Sequence, residues 1–428
     1  PNFVAERPSP FGRFTASYCE LHPFVRRPGP ESDYALQRPM EFHASTSELV
    51  QMLEQGHHGV RLDAEAWDRL VTWIDLNVPD HGTWGEHRGS PVSIAERRLA
   101  MRTRYANRPE DPEQYPSAPP EKPAFVPPPA QPERPPVELR ASGWPFDAAE
   151  AARRQQAAGL PVEWSIELAD GVKLDLVLVP PGELVVGAND GAADAYPPAR
   201  VRIDRPFYLG KHEVTNAQYA VFDPSHDSAY ISRFNKDHSN RGEPVNRPDQ
   251  PVVRVSWNQA MAFCQWLSRA TGRPCTLPTE AQWEYACRAG TATPMSYGQV
   301  SDDFSRWANL ADARLNELAL RDSPKWIPCI ASVNDGATAT QSVGRYAPNA
   351  FGLYDMHGNA AEWVRTLYRP YPYDPGDGRE EVRAGGDRVV RGGSFYDRPA
   401  RARSAERRHY PPWQQAFDVG FRVMIEVP

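Results

Sequence analysis

The sequence predicts an α+β fold in which short strands and short helices are joined by many loops. Residues 163–187 alternate β-branched or other apolar residues with polar ones, which is typical of strands. Three later segments begin with Ser or Thr followed three residues on by Gln, the spacing of a capping box at the start of a helix. Gly, Pro and Asn recur between these segments, and such residues interrupt regular structure. We therefore expect few and short regular elements.

Length and charge limit the function classes that need to be considered. The 428 residues leave room for two or three domains and at least one sizeable core. The formal net charge is −7 and both signs are interspersed, so we expect no nucleic-acid partner. No apolar run approaches the roughly 20 residues that span a bilayer, so no membrane span is predicted.

The start of the chain and its cysteines say little about compartment. The opening PNFVAERPSPFGRF has no basic stretch followed by an apolar one, so it contains no signal peptide, and we expect an upstream part of the protein. Five cysteines lack CxxC or Cys/His metal spacing: Cys19, Cys264, Cys275, Cys287 and Cys329. Their disulfide pairing stays open.

A proline-rich stretch predicts the main boundary in the chain. Residues 109–136 hold twelve prolines in 28 positions. Because proline fixes φ and lacks a backbone donor, this stretch is expected to be extended polyproline II and to act as a semi-rigid spacer. A ligand role for SH3-type domains is the alternative. We predict a small helical unit at 1–108, a linker at 109–140 and a larger domain at 141–428.

Two short amphipathic helices are predicted before the linker. The first has Ser45 and Glu48 in capping-box spacing and stops at Gly56. The second begins after Asp63 as N-cap and stops at Pro79, and its apolar face is Trp67, Leu70, Val71 and Ile74. Such short helices bury little by themselves, so they must pack on each other, on residues 1–44 or on something outside the chain.

The pattern that starts GHHGVRLDAEAW and runs on to WIDLNVPDHGTW resembles a cytochrome-c-like region of large planctomycete proteins, including a domain of hydrazine synthase. The resemblance covers about residues 17–87. No CxxCH motif is present, so this chain does not bind haem covalently. The resemblance implies His57 and His58 as contacts to a haem or metal and a cytochrome-containing partner; a polar turn between helices is the alternative.

Strands and capped helices alternate in the larger domain. Pro180-Pro181-Gly182 should break the strand region 163–187, and two further strands are expected within 201–215. Helices should begin after Thr215, Ser256 and Thr279, each with its Gln partner. The faces expected in the core are Tyr219 and Phe222; Ala260, Phe263, Cys264 and Leu267; and Trp283, Ala286 and Cys287.

Several ordered motifs resemble the formylglycine-generating enzyme (sulfatase-modifying factor) family over about residues 163–426. They read HEVTNAQYAVF, QPVVRVSWNQAMAFCQWLSRATGR, LPTEAQWEYACRAG, FGLYDMHGNAAEW, RGGSF and VGFR. The resemblance implies an elaborated C-type-lectin-like fold of low regular secondary structure. It also implies an extracytoplasmic location, periplasmic or secreted.

The same resemblance implies two calcium sites. The first would use Asp355, Gly358, Ala360 and Glu362, and the second Asn309, Leu310, Asp335 and Ala337. Oxygen ligands from a tight glycine-containing loop suit a hard cation that takes 6–8 ligands. The segment between Asn309 and Asp335 is longer than the family pattern, which weakens the second site. The alternative is that Asp355 and Glu362 are ordinary loop and cap residues.

The resemblance fails at the copper-binding position of the family's oxidases. Those enzymes carry a cysteine pair shortly after GGS, whereas Gly392 to Arg422 contains no cysteine here and Asp397 stands near the first position. Copper(I) needs soft thiolate donors, so copper is not expected. The partner of a family disulfide to this segment is also missing, which leaves Cys264 and Cys287 as small buried apolar residues.

An arginine- and aromatic-rich segment stands where the family binds its substrate. Its residues are Tyr396, Asp397, Arg398, Arg401, Arg403, Arg407, His409, Tyr410 and Trp413. Arg and aromatic side chains grip a carboxylate- or sulfate-bearing sugar or peptide by bidentate contacts and stacking. Alternatively, several of them pair with Asp397, Glu406 and Asp418 or face water.

These observations predict a non-catalytic, calcium-stabilised binding or structural module within a larger extracytoplasmic protein or assembly. Its partner would be a protein or a glycan or other anionic ligand. One alternative is an oxidoreductase of the formylglycine-generating or non-haem metal type acting on a protein or small thiol. A second is an accessory subunit of a c-type cytochrome electron-transfer complex.

Overall fold

The computed structural model describes residues 6–9, 12–25, 44, 47–54, 60–80, 94–110, 135–190, 193–231, 242–315 and 329–427. These residues divide into two compact units. The first unit holds the described residues between 6 and 110, and the second holds those between 135 and 427. Within the described part, no helix is both long and apolar enough to cross a bilayer.

Among its described residues, the first unit contains a hairpin and four α-helices. Its elements are β1 (Glu6–Ser9), β2 (Gly12–Thr15), α1 (Ala16–Leu21), α2 (Glu48–Glu54), α3 (Ala64–Asp75) and α4 (Ile94–Ala106). Strands β1 and β2 pair antiparallel. Leu49 and Val50 of α2 join Ile74 of α3 in one apolar cluster, so the two predicted helices belong to the same small core.

Helix α3 begins as predicted and ends before the predicted stop. The Asp63 side chain accepts a hydrogen bond from the Ala66 backbone N–H at 2.8 Å, which confirms the N-cap. The helix ends at Asp75 because Asn77 and Val78 take the left-handed conformation, with φ of 64° and 59°. Val78 is thereby buried in the cluster of this unit. The predicted first cap, Ser45, lies outside the described residues.

The second unit holds four helices and thirteen short strands among its described residues. The helices are α5 (Ala148–Ala157), α6 (Asn216–Phe222), α7 (Trp257–Thr271) and α8 (Glu280–Arg288). The strands are β3 (Glu163–Ala169), β4 (Val172–Val179), β5 (Gly182–Val186), β6 (Ala199–Ile203), β7 (Phe207–Gly210), β8 (Tyr230–Ile231), β9 (Glu243–Pro244), β10 (Cys275–Thr276), β11 (Ala361–Leu367), β12 (Arg388–Arg391), β13 (Arg408–Tyr410), β14 (Val419–Phe421) and β15 (Met424–Glu426).

Two larger sheets organise this unit. The five-stranded sheet has the order β10-β15-β7-β4-β3 and is antiparallel throughout. The four-stranded sheet has the order β13-β12-β11-β14, in which β11 and β14 run parallel. The predicted break at Pro180-Pro181 separates β4 from β5. Strands β6 and β7 pair with different partners, β5 and β4, and so belong to different sheets.

Strand β4 is buried on both faces and links two apolar clusters. Val177 and Val179 point into one cluster, together with Trp283 and Tyr285 of α8. Leu174, Leu176 and Leu178 point into the other, together with Phe263 and Leu267 of α7. Because side chains alternate along a strand, a run of apolar residues is what a strand buried on both faces requires.

The three predicted capping boxes are confirmed. Thr215, Ser256 and Thr279 each accept a hydrogen bond from the backbone of their Gln partner, and each Gln side chain accepts one from the cap backbone. The predicted core residues of these helices are buried, except Phe222, which is partly buried. Helix α5 was not expected from apolar spacing, because Ala151 and Gln155 are its only described buried residues.

Candidate functional site

The first predicted calcium loop, residues 355–362, contains a buried oxygen atom with no partner. Asp355 Oδ2 accepts a hydrogen bond from the Gly344 backbone N–H at 2.7 Å, whereas Oδ1 is buried and has none. Burial raises the pKa of Asp355 to about 6. A Cβ on Gly358 would overlap the carbonyl oxygen of Asn309, so the close approach of the two loops requires glycine there.

Glu362, the other carboxylate predicted for this site, is committed to protein partners. It accepts hydrogen bonds from Arg422 at 2.5 and 2.7 Å and from the Trp283 indole N–H at 2.7 Å. Arg422 is completely buried and also donates to the carbonyl oxygens of Gly210 and Tyr354. The carboxylate predicted to bind calcium therefore already has a cation beside it.

A third carboxylate, Glu213, belongs to the same group. It accepts hydrogen bonds from the Ala360 backbone N–H at 3.0 Å and from the Asn359 side chain at 3.2 Å. Burial raises the pKa of Glu213 well above its ordinary value, and the charges of Asp355 and Glu362 add to that rise. We call Glu213, Asp355, Glu362 and Arg422 the first acidic cluster.

The second predicted calcium site is assembled by backbone donors. Asp335 Oδ2 accepts from the Leu310 N–H at 2.9 Å, and Oδ1 accepts from the Ala337 N–H at 2.8 Å. The Asn309 carbonyl accepts from the Asn359 N–H at 2.8 Å. The structure therefore brings all four predicted residues together and places them against the loop of the first site.

The sequence analysis missed a second carboxylate at this position. Asp312 Oδ2 accepts from the Asp335 N–H at 2.6 Å, and its Oδ1 accepts from the Arg314 and Leu315 N–H groups. Burial raises the pKa of Asp335 to about 7, and the charge of Asp312 adds to the rise. Among the described residues, no Lys or Arg forms an ion pair with either carboxylate. We call Asp312 and Asp335 the second acidic cluster.

The two clusters differ in how well they fit a hard cation. Calcium takes carboxylate and carbonyl oxygens, and both loops supply them. In the second cluster two buried carboxylates share no basic partner within the described ranges, so a cation would relieve their mutual repulsion. In the first cluster Arg422 supplies positive charge, and Asp355 Oδ1 is the oxygen left for a cation.

The segment that follows GGS, where the resemblance implied the copper position, forms an oxygen and guanidinium network. Asp397 accepts hydrogen bonds from the backbone and hydroxyl of Ser394, both at 2.9 Å. Arg408 lies 3.3 Å from Asp397 and 3.0 Å from Asp418. These carboxylates hold the pKa of Arg408 well above its ordinary value. Asp397 is thus half of an internal ion pair.

A buried cysteine, Cys287, contacts Ser404 of the same segment. Cys287 Sγ lies 3.5 Å from His357 Nε2 and 3.6 Å from Ser404 Oγ. Burial raises the pKa of the Cys287 thiol to about 12 and lowers the pKa of His357 to about 4. Both groups are therefore neutral near pH 7, and the Cys287 thiol is a poor nucleophile at that pH.

The predicted ligand face divides into exposed and internal residues. Tyr396 is 37% exposed and Trp413 is 49% exposed. The Arg401 side chain is 46% exposed and lies 3.8 Å from Asp397, and Arg398 is half-buried. In the described part of the chain, no ring contact joins Trp413 to Tyr396. Tyr396, Arg398 and Arg401 lie within one turn-rich segment and form the exposed part of the face.

The remaining residues of the predicted face hold the structure together. Arg407 is buried and donates to Glu280 at 2.6 and 3.1 Å. Arg403 donates to the Asp190 carbonyl at 2.9 Å. His409 Nδ1 lies 2.6 Å from an Asp387 carboxylate oxygen, and its ring stacks on Tyr368 with centroids 3.8 Å apart. Arg407 is thus not presented to solvent.

The predicted haem or metal contacts cannot be placed on this structure, because His57 and His58 lie outside the described residues. Within the described part, no group of three or more His, Cys, Asp or Glu side chains has the geometry of a metal site. The two predicted calcium sites would also use backbone carbonyl oxygens, which are not side chains. They therefore stay candidate sites.

Comparison with known proteins agrees with the fold. Residues 169–427 match the family described as "Sulfatase-modifying factor enzyme 1-like domain". The formylglycine-generating enzyme of Bos taurus is 28% identical over 300 residues, which cover 58% of this chain and 73% of the relative. The inactive C-alpha-formylglycine-generating enzyme 2 of Mus musculus is 34% identical over 178 residues, which cover 40% of this chain and 48% of the relative.

A solved structure shows the same arrangement. PvdO from Pseudomonas aeruginosa matches with a TM-score of 0.50 and 26% sequence identity, over 62% of this chain and 98% of that chain. The predicted α+β fold of the formylglycine-generating enzyme type is confirmed. From the family match, the sheets and the capped helices together, this chain belongs to the sulfatase-modifying factor enzyme 1-like domain family.

Proposed function

We propose that this chain is a non-catalytic binding or structural module of the sulfatase-modifying factor fold, stabilised by calcium and part of a larger extracytoplasmic assembly. The observation that carries the proposal is the network of Ser394, Asp397, Arg408 and Asp418 at the position of the oxidase cysteines. That network consists of oxygen and guanidinium groups that bond to one another and includes no thiolate.

Copper(I) chemistry has no donors at this position. Copper(I) requires soft thiolate ligands, and carboxylate oxygens are hard donors. The sequence from Gly392 to Arg422 contains no cysteine. Cys287, whose sulfur lies 3.6 Å from Ser404 Oγ of this segment, has a raised pKa and is a neutral thiol at pH 7. The residues therefore do not fit the copper site of the oxidases.

The comparisons support a family in which activity is not universal. One matched relative from Mus musculus carries the name inactive C-alpha-formylglycine-generating enzyme 2. The fold is thus compatible with a role that does not involve oxidation. What this chain does in place of oxidation must come from its own surface residues.

Calcium is the metal that the donor set suits best. In the second acidic cluster we propose Asp312 and Asp335 as the side-chain ligands, with carbonyl oxygens of the 309–310 and 335–337 segments. In the first, we propose Asp355 Oδ1, with carbonyl oxygens of the loop. A bound cation would tie together two loops that would otherwise repel each other.

The exposed part of the predicted face supports a protein or glycan partner with an anionic group. Tyr396 and Arg401 combine an aromatic surface with a guanidinium group, which suits stacking and bidentate contacts. The other arginines of the segment are engaged internally, so they fix the shape of this face instead of binding the partner.

Oxygen uptake with a cysteine-containing sulfatase peptide tests the proposal directly. The chain is loaded with copper(I), and an active formylglycine-generating enzyme is assayed in parallel. We expect no peptide-dependent oxygen uptake from this chain. Conversion of the peptide cysteine would overturn the proposal and favour the oxidoreductase alternative.

Elemental analysis of the purified protein tests the metal assignment separately. We expect calcium at about one to two equivalents, without stoichiometric copper or iron. Stoichiometric iron would instead select the non-haem oxidoreductase. The two experiments are independent, because finding calcium in the protein does not determine whether the protein oxidises the peptide.

A further inference from the structure

Strand β3 is the last strand of the five-stranded sheet and has one open edge. It pairs antiparallel with β4, and no other strand in the described part of the chain pairs with it. It has seven residues and contains neither proline nor lysine, two residues that often protect such an edge. Its protection consists of two exposed glutamates, Glu163 and Glu167, and a register shift after Glu167. Such an edge can pair with another chain.

The open edge presents a row of backbone hydrogen-bonding groups. The Val162 carbonyl accepts from the Leu178 N–H at 2.8 Å, which shows which pairs of the β3–β4 ladder are hydrogen-bonded. Because bonded and non-bonded pairs alternate, Glu163, Ser165 and Glu167 direct their N–H and C=O groups away from β4. Within the described ranges, none of these backbone groups has a hydrogen-bond partner in the protein. They are placed to bond to an added strand.

A groove of about 310 Å³ lies between β3 and helix α7. Strand β3 contributes Trp164, Ile166 and Leu168 to its lining, and α7 contributes Trp266 and Ala270. The three β3 residues and Trp266 are half-buried and pack on the apolar cluster between the sheet and α7. A strand added to β3 would point every second side chain towards α7. The groove therefore suits apolar side chains at alternate positions of an extended segment.

The charges on the exposed face of β3 favour a basic partner. Glu163 forms an ion pair with Lys211 at 2.9 Å. Glu167 forms no ion pair among the residues that the structure describes, and its register partner on β4 is Lys173. A basic residue of an added strand would lie beside Glu167 on its open side. Opposite charges on neighbouring strands stabilise a sheet.

A second copy of this chain is a poor occupant of the same edge. Antiparallel pairing of two β3 strands about Ser165 would place Glu163 of one copy opposite Glu167 of the other. Like charges directly opposite each other destabilise a sheet. The two glutamates thus oppose self-association, but they do not oppose a basic strand.

We propose that β3 binds an extended segment of a partner protein in which basic and apolar residues alternate, and that this segment extends the sheet. Its backbone bonds to the outward groups of Glu163, Ser165 and Glu167, and its apolar side chains enter the groove beside α7. Main-chain bonds then give affinity, and alternate side chains give specificity. The inference goes beyond the proposed function. It concerns a different surface and is unaffected if the chain proves to be an oxidase.

Fluorescence anisotropy with the full chain tests the site with a defined probe, a labelled hexapeptide that alternates lysine and valine. We expect a dissociation constant below about 1 mM, and about tenfold weaker binding when glutamate replaces lysine. N-methylation of the lysine residues removes the donors of an antiparallel added strand, and N-methylation of the valine residues removes those of a parallel one. One of these two peptides should not bind.

Two results of this experiment would overturn the proposal. The first is the absence of binding by the unmethylated lysine–valine peptide below about 1 mM. The second is binding of both methylated peptides as tightly as the unmethylated one, because an added strand needs backbone donors on one side.

Two substitutions in β3 show whether the peptide binds at this edge. Ser165→Pro removes one outward N–H and leaves the ladder to β4 intact, because proline is tolerated at an edge. It should weaken the peptide about tenfold. The matched control is Ser165→Ala, which keeps the N–H and loses the hydroxyl that donates to Asp175.

The second substitution, Glu167→Lys, reverses the charge beside the open edge. It should weaken the lysine peptide about fivefold and strengthen the glutamate peptide, the size expected for one cross-strand charge pair. Unchanged peptide binding in both Ser165→Pro and Glu167→Lys would contradict the assignment.

Sedimentation velocity of the free chain distinguishes a partner protein from a second copy. We expect no association through this edge, so the parent and Ser165→Pro should sediment alike. A dimer that forms in the parent and is lost in Ser165→Pro would show that a second copy occupies the edge, and it would overturn the proposal.

Discussion

The two acidic clusters are built from neighbouring loops, but they differ in whether a basic side chain neutralises their buried carboxylates. The first holds three carboxylates around Arg422, which is completely buried and bonded twice to Glu362. The second holds Asp312 and Asp335 without an ion pair to a basic side chain in the described part of the chain. In the first cluster Arg422 is a permanent cation beside the carboxylates, whereas in the second the proposed calcium ion would supply the positive charge.

This difference changes the order in which the two predicted calcium sites should be ranked. The sequence motif favours the loop at 355–362, because the family pattern is better preserved there. In the structure Glu362 accepts hydrogen bonds from Arg422 and Trp283, whereas the second site contains an additional carboxylate, Asp312. We therefore expect calcium dependence to come mainly from the second acidic cluster.

The largest effect should come from removing the cation of the first cluster. Arg422→Met keeps much of the side-chain length but leaves Glu213, Asp355 and Glu362 buried together without a positive charge. We expect a loss of about 3–5 kcal/mol in the free energy of unfolding, measured by urea denaturation. A loss below about 1 kcal/mol would show that the carboxylates are neutralised in another way, by protonation or by a bound cation.

Calcium removal should have the next largest effect and should act through Asp335. EDTA is expected to reduce the stability of the parent by about 2–3 kcal/mol relative to saturating calcium, the linkage expected at about 100 times the dissociation constant. In Asp335→Asn this calcium effect should be lost, since a carboxylate ligand is missing. The measurement is thermal unfolding with and without calcium. An Asp335→Asn protein that keeps the full calcium effect would contradict the assignment.

When EDTA has removed calcium, the free energy of unfolding should fall as pH rises. A carboxylate in an ordinary salt bridge has the opposite effect. The pKa of Asp335 in the folded protein is raised to about 7, against about 4 in an unfolded chain. Between these values the folded state binds more protons than the unfolded state, so stability falls as pH rises from about 4 to about 7.

The size of this contribution should be of the order of 1 kcal/mol or more, and it should be absent from Asp335→Asn. Urea unfolding of both proteins at pH 5 and pH 7 checks it, and the difference between the proteins removes the contribution of other groups. The same pH slope in parent and variant would show that Asp335 does not titrate in this range.

The smallest effect should come from an exposed ion pair. Arg202 and Asp204 lie 2.9 Å apart with side chains 72% and 76% exposed. Arg202→Gln should change the free energy of unfolding by less than about 0.5 kcal/mol, because water already solvates both charges. The same urea experiments provide the measurement. A loss near that of Arg422→Met would show that burial is not what separates the two pairs.

Local patterns predicted the helices and the core faces well. Each capping box depends on residues three positions apart, and the three predicted boxes in the second unit are present. The alternating faces of β4 follow from the two-residue period of a strand. Such features are legible because the interacting groups are close in the sequence.

The candidate site was only partly predictable. The motif at 355–362 identified Asp355, and the resemblance identified Asp335. Asp312 carried no local signal, and Arg422 was visible only as the end of the VGFR motif, without a role. Arg422 reaches Glu362 across 60 positions of sequence. The composition of the arginine-rich segment predicted that Arg407 belongs to a ligand-binding face. In the structure Arg407 is buried and donates to Glu280.

The sequence by itself determined the family, the strand region at 163–187, three helix starts in the second unit and the absence of cysteine from Gly392 to Arg422. Only the tertiary structure decided which charges are neutralised from within, because that depends on contacts between distant segments in a medium where charge is costly. Three contacts of this kind are those of Arg422 with Glu362, Arg408 with Asp397, and Asp312 with Asp335. These contacts distinguish carboxylates that are paired with an arginine from the two carboxylates that the proposed calcium ion would neutralise.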